Sequence, residues 1–133
     1  MPLLGFKKEM AKYIENGSKL HTIRAFRRDG RDPKPGDILY MYVGLRTKAC
    51  RKIAEKKCLY TKTVEIKELG YCIWIDDESL DFNDAARLAC SDGFRVGGQQ
   101  ENVNAFMDFF RKNHGLPFRG LLIGWGKEVK YGD

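Results

Sequence analysis

From Asp37 to Ile75 the chain reads as one strand-like run after another, while its helical patterns lie outside that block. Asp37–Val43 (DILYMYV) is rich in aromatic and β-favouring residues and is broken by Gly44. Further strands are expected over Ala49–Ala54, over Tyr60–Leu69, and over Tyr71–Ile75 after a turn at Gly70. The TKTVEIKEL run alternates polar and apolar residues, as a half-buried strand must, because successive side chains point to opposite faces. A helix precedes this block, two helices follow it, and a last strand is expected over Phe118–Trp125. That order does not alternate as βαβα, so it predicts an α+β domain rather than a doubly wound parallel sheet. Five or six short strands in so small a chain lose their open edges most simply by curling into a barrel.

The first helix is expected from the recurrence of Phe6, Met10, Tyr13 and Ile14, with Asn16-Gly17 as its stop. The second has a small apolar face of Ala85, Ala86, Leu88 and Ala89, with Asn83 or a neighbour as its cap and Asp92-Gly93 as its end. The third spans about Gln100 to Lys112, where Val103, Phe106, Met107 and Phe110 form one stripe. Between the first helix and the strand block, Phe26–Gly36 is dense in charge, Gly and Pro and reads as a surface loop. The whole length, 133 residues, is that of one domain. The tail from Gly126 to Asp133 is expected to fray.

Lys plus Arg outnumber Asp plus Glu by 24 to 18, for a formal net charge of +6, which favours polyanionic partners such as nucleic acid. No apolar run approaches the roughly 20 residues that span a bilayer. The opening MPLLGFKKEM lacks the features of an export signal, so a cytoplasmic chain is expected. Cys50, Cys58, Cys72 and Cys90 show no CxxC pair and read as reduced thiols, Cys58 and Cys72 as buried small hydrophobes. No metal or cofactor signature is present.

Candidate chemistry concentrates in Gly17-Ser18-Lys19-Leu20-His21-Thr22-Ile23-Arg24, a G-x-K-x-x-T-x-R pattern. It places an ammonium, a hydroxyl and a guanidinium within one turn and strand. Thr22 and Arg24 would share a strand face, and a hydroxyl beside a cation suits a phosphate, carboxylate or polarised carbonyl. His21 points the other way along the strand and reads as structural. Arg46, beyond the DILYMYV strand, faces the same cleft if that strand neighbours the motif strand; otherwise it sits on a charged hairpin tip. Arg27, Arg28 and Arg31 make a basic loop beside the motif, partly offset by Asp29 and Asp32. Tyr40 and Tyr42 point to one side of their strand, where an exposed ring can stack on a base.

This pattern resembles the ASCH domain family (activating signal cointegrator homology), a branch of the PUA-like β-barrel superfamily. Pro35-Gly36-Asp37 before an aromatic strand resembles the family's P-G-D turn, and Asp92-Gly93-Phe94 its D-G-F element. Phe109-Phe110, Pro117-Phe118 and the strand ending at Trp125 are similar to its C-terminal half, so the likeness runs from Lys8 to Trp125. It implies a small barrel of five or six strands with flanking helices and a basic cleft for RNA or a nucleoside or nucleotide ligand. Lys19, Thr22, Arg24 and Arg46 would hold that ligand. The family also implies an enzymatic alternative, a ribonuclease or an acetylcytidine amidohydrolase. In the latter the motif Lys and Thr act with a Glu from the second helix, positions that fall on Lys19, Thr22 and Asp92 here, with Asp one methylene shorter. A third alternative is a regulatory module that works through protein contacts.

Overall fold

The computed structural model describes residues 3–67, 73–76 and 78–127, which form three helices and eight strands. Cys72, the Gly70 turn and the tail beyond 127 lie outside the described residues. In chain order the elements are β1 (Leu3–Phe6), α1 (Lys8–Glu15), β2 (His21–Ala25), β3 (Ile38–Val43), β4 (Arg51–Lys57) and β5 (Tyr60–Ile66). They continue with β6 (Ile73–Ile75), β7 (Glu78–Ser79), α2 (Phe82–Ser91), α3 (Gln99–Asn113) and β8 (Phe118–Gly124).

The expected single barrel is replaced by two sheets. One has the order β1-β3-β4 and the other β2-β8-β5-β6-β7, and among the described residues neither closes on itself. The physical reason lies in β1, of which only Phe6 was assigned from the sequence, to the first helix. Leu3–Phe6 instead pairs in parallel with Tyr40–Val43, so Phe6 ends a strand rather than starting a helix. This pairing covers one edge of β3 while antiparallel β4 covers the other. β8 is an inner strand of the larger sheet, with β2 on one side and β5 on the other.

The alternation along β8 divides the interior into two cores. Phe118 and Leu122 face a cluster with Val64, Ile66, Ala85, Leu88 and Phe106, which covers the sheet with α2 and α3. Ile123, and Trp125 just beyond the strand, face the opposite cluster, with Leu4 from β1, Leu39 and Met41 from β3, and Ile14 from α1. The larger sheet is thus a middle layer between two helices and the smaller sheet. Met41 is fully buried while Tyr40 and Tyr42 are half-buried, as the alternation of DILYMYV requires.

Helix ends follow local chemistry. Gly17, at φ +82°, takes the left-handed turn after α1, a conformation glycine adopts without a Cβ penalty. The cap of α2 is Asp81, whose carboxylate accepts the Asp84 main-chain N–H at 2.8 Å. Buried Asn102 accepts the N–H groups of Val96 and Gly97 at 2.8 and 3.0 Å, fastening the loop between α2 and α3.

Phe94, Phe106, Phe110 and Phe118 form a run of tilted and edge-on rings with centroids 4.9–5.5 Å apart. Phe106 is fully buried between Phe94 and Phe110. Truncation to Phe106→Ala is expected to cost about 3–5 kcal/mol in urea unfolding, since it removes apolar area and leaves a void. A loss under about 1 kcal/mol would show that this ring stack does not hold the helices to the sheet.

Candidate functional site

The segment that joins α1 to β2 is fastened at nearly every main-chain group. Lys19 N–H donates to Tyr13 O at the end of α1 (2.9 Å), and Leu20 N–H donates to Ser91 O at the end of α2 (2.9 Å). From the end of β8, Trp125 N–H and Gly126 N–H donate to Leu20 O, while the Trp125 indole Nε1 donates to Lys19 O at 3.1 Å. Three elements distant in sequence therefore hold the backbone of the motif.

The motif side chains meet Asp92, the residue that caps the C-terminus of α2. Lys19 Nζ donates to the Asp92 main-chain carbonyl at 2.5 Å and lies 3.3 Å from its Oδ1. His21 Nδ1 lies 2.9 Å from the same Oδ1. A carboxylate can only accept, so Nδ1 bears the proton. His21 Nε2 is buried and has no hydrogen-bond partner. Lys19, His21 and Asp92 are all at most 4% exposed.

Thr22 and Arg24 lie on the other face of β2, as the sequence pattern requires. Arg24 Nε donates to Thr22 Oγ1 at 3.3 Å, and its Nη2 donates to Gly5 O of β1 at 2.6 Å. Phe6 completes the arrangement: the Arg24 guanidinium lies 4.7 Å, and Lys19 Nζ 5.8 Å, from its ring centroid. Both cations are thereby held against an aromatic face, an attraction that grows when the groups are desolvated.

Lys19, Thr22, Arg24 and Asp92 line one cavity of about 470 Å³ together with Phe6 and Phe109. Arg46 does not join them. It sits exposed at φ +68° in the turn after β3, and from that turn only Gly44 and Leu45 reach the cavity. The conditional expectation for Arg46 fails on its premise, because β3 pairs with β1 and β4 and not with β2. One contributor was missed by sequence reasoning, β1, which brings Gly5 and Phe6; His21 is structural as expected, and its part is to hold Asp92. Phe109, outside the apolar stripe of the third helix, is half-buried and lines the cavity.

Burial dominates the electrostatics. It pushes the Lys19 pKa below its ordinary 10.5, although Asp92 pulls upward through charge and hydrogen bonding; Arg24 adds a smaller downward push. Burial likewise lowers the Arg24 pKa to about 10, against the upward pull of Asp92 and with a further downward push from Arg27. Two cations thus share one carboxylate in a poorly hydrated space, which makes the site receptive to an added negative charge. The donor set offers nothing for a metal: among the described residues no group of three or more His, Cys, Asp or Glu could hold one. No family model, curated protein or solved structure matches the chain.

The depressed Lys19 pKa has a sign that can be tested. Between the folded value and 10.5 the unfolded chain binds more protons than the native one, so stability rises with pH across that window. Wild type is expected to gain stability relative to Lys19→Met as pH is raised toward 10.5, measured by urea unfolding at several pH values. Asp92→Ala is expected to cost about 3–5 kcal/mol at neutral pH, because it strands a buried cation and a buried imidazole. A flat pH difference between wild type and Lys19→Met would show that Lys19 is not desolvated.

Proposed function

We propose that the chain is an ASCH-type, PUA-like domain that binds a nucleotide of RNA in the cavity lined by Lys19, Thr22, Arg24 and Asp92. The observation that carries this reading is the meeting of those four motif residues, with the Phe6 ring, in one cavity. The two sheets, joined through the second core, serve as an opened form of the expected barrel. A volume of about 470 Å³ lies within the range of small-ligand sites.

Each group has a part in holding such a ligand. Arg24 and the Thr22 hydroxyl offer donors to a phosphate, and their desolvation strengthens that contact. Asp92 Oδ1 is committed to Lys19 and His21. Its Oδ2 has no protein partner among the described residues and can accept from an exocyclic base amine such as cytosine N4. Phe109 and Phe6 supply apolar walls for the base.

Calorimetric titration with nucleoside monophosphates and their unphosphorylated nucleosides tests the reading. The phosphorylated form of an amino-bearing base is expected to bind, and Arg24→Ala to weaken it by at least about tenfold while circular dichroism stays native. If none of the nucleotides binds, or if Arg24→Ala binds them as well as wild type, the reading is wrong.

A second reading, a hydrolase of acylated cytidine, is favoured by one feature, the amine of lowered basicity on Asp92. A neutral Lys19 would take a proton from water as the water oxygen adds to the acyl carbon, with Thr22 donating to the carbonyl oxygen. The C–N bond then breaks, the proton passes to the departing nitrogen, and carboxylic acid and free cytidine result. Wild type is expected to release acetate from N4-acetylcytidine, and Lys19→Ala to lose that release. Absence of turnover by wild type removes this reading and leaves the binding one.

A further inference from the structure

The cavity of the motif does not end at Arg24. A smaller depression of about 220 Å³ shares Arg24 and Ala25 with it, and is also lined by Leu3, Arg27 and Asp32. That depression in turn shares Arg27 and Asp32 with an open concavity of about 660 Å³, which adds Arg31, Lys34, Ile38 and Tyr40. The shared residues make the three hollows neighbours in a row, and we infer that the row serves as one trough. It runs from the buried Lys19 end, past the end of β2, through the 26–36 loop to the outward side of β3.

By formal count the loop end of the trough is neutral, with Asp29, Asp32 and Asp37 beside Arg27, Arg31 and Lys34. The hydrogen bonds show how those charges are used. Asp32 accepts the main-chain N–H of Arg27, Asp29 that of Arg31, and Asp37 that of Lys34, each at 2.9 Å. Each carboxylate thus orients the backbone of the residue that supplies a cation, while keeping its own charge. Asp32 and Asp37 are half-buried, whereas Arg31 and Lys34 are exposed and have no ion pair among the described residues. Arg27 is held toward β1 by its bond from Nη2 to Leu3 O at 3.1 Å. Beside these cations stands the half-buried Tyr40 ring, with Lys52 Nζ 5.4 Å from its centroid. Cations spaced along a groove, with an aromatic ring at its far end, are the chemistry that tracks a phosphodiester backbone and stacks a base.

We propose that this trough is a second, extended site that takes the RNA strand flanking the nucleotide in the Lys19 cavity. Arg27, Arg31 and Lys34 contact successive phosphates, and a base stacks on Tyr40. The proposal rests on the nucleotide reading of the cavity, but it concerns different residues: neither Arg31, Lys34 nor Tyr40 lines the Lys19 cavity. An acidic protein partner would use the same cations without needing the cavity or the ring.

Fluorescence anisotropy with oligocytidylates, from the mononucleotide to roughly six nucleotides, tests it. Affinity of wild type is expected to climb by about tenfold or more with length, and log K to fall with log salt at a slope near −2, about −0.7 for each of three phosphates. Arg31→Ala/Lys34→Ala removes two exposed side chains outside any ion pair, so the fold is retained. It is expected to abolish the gain with length while leaving mononucleotide affinity unchanged, and Tyr40→Ala to remove part of that gain. Length-independent affinity in wild type overturns the trough and leaves the cavity reading intact. A double variant that binds the longest strand as well as wild type overturns it too. Length-dependent binding lost in the double variant, with no mononucleotide binding at all, upholds the trough and sinks the cavity reading.

Discussion

Most of this molecule's geometry is referred to the main chain of Lys19 and Leu20. The C-terminus of α1, the C-terminus of α2 and the end of β8 all hydrogen-bond to those two residues, from Tyr13, Ser91, Trp125 and Gly126. A segment tied from three directions cannot shift without breaking several buried bonds at once, and buried main-chain groups left unpaired are costly. The side chains that leave this segment are therefore aimed by the fold rather than by their own rotamers. Lys19 and His21 go to the α2 side, and Thr22 and Arg24, one strand face away, go toward β1. The candidate site is preorganised because it is built on the best-anchored stretch of backbone.

That anchoring explains how an expensive charge arrangement persists. Taking an ammonium and a carboxylate out of water costs several kcal/mol per ion unless geometry and further hydrogen bonds compensate. Asp92 gives two acceptors to Lys19, one from the main chain and one from the carboxylate, and its second contact, His21, fixes the carboxylate's orientation. Arg24 finds Thr22 and Gly5 O instead. The lowered basicity of both cations shows that compensation is incomplete.

Legibility in the sequence followed the range of the interactions. The three helices, the loop at 26–36 and the strands around DILYMYV and Phe118–Trp125 were readable because periodicity, Gly and Pro act locally. The facing of Thr22 and Arg24 was readable from strand alternation alone. β1 was not: Leu3–Phe6 is a short run whose strand character comes from pairing with Tyr40–Val43, far along the chain. Missing that strand also hid the partner of Arg24, the two-sheet arrangement and the exclusion of Arg46. The part played by Asp92 could be placed only through the D-G-F resemblance, since nothing in local spacing brings the end of α2 to Lys19. His21 was legible as structural from its strand face, but its partner lies 71 residues away in sequence and left no local signal.

The division of labour along β2 follows from the same alternation. Odd positions, Lys19 through His21 to Ile23, run from the buried ion network into the helix-covered core; even positions, Thr22 and Arg24, face the gap where β1 crosses. β2 is an edge strand of its sheet, paired on one side by β8, so its other side carries no strand partner among the described residues. An exposed edge invites non-specific pairing with another chain unless something blunts it. Here the Arg24 guanidinium reaches across to Gly5 O, and Phe6 stands against both cations, so side chains rather than another strand fill the gap. The need to close an edge without a strand and the need for a receptive, cation-lined hollow are thus met by one arrangement. A neighbouring hollow, also lined by Arg24 and Ala25, lies where the edge ends at Ala25 and the chain turns away into the charged loop.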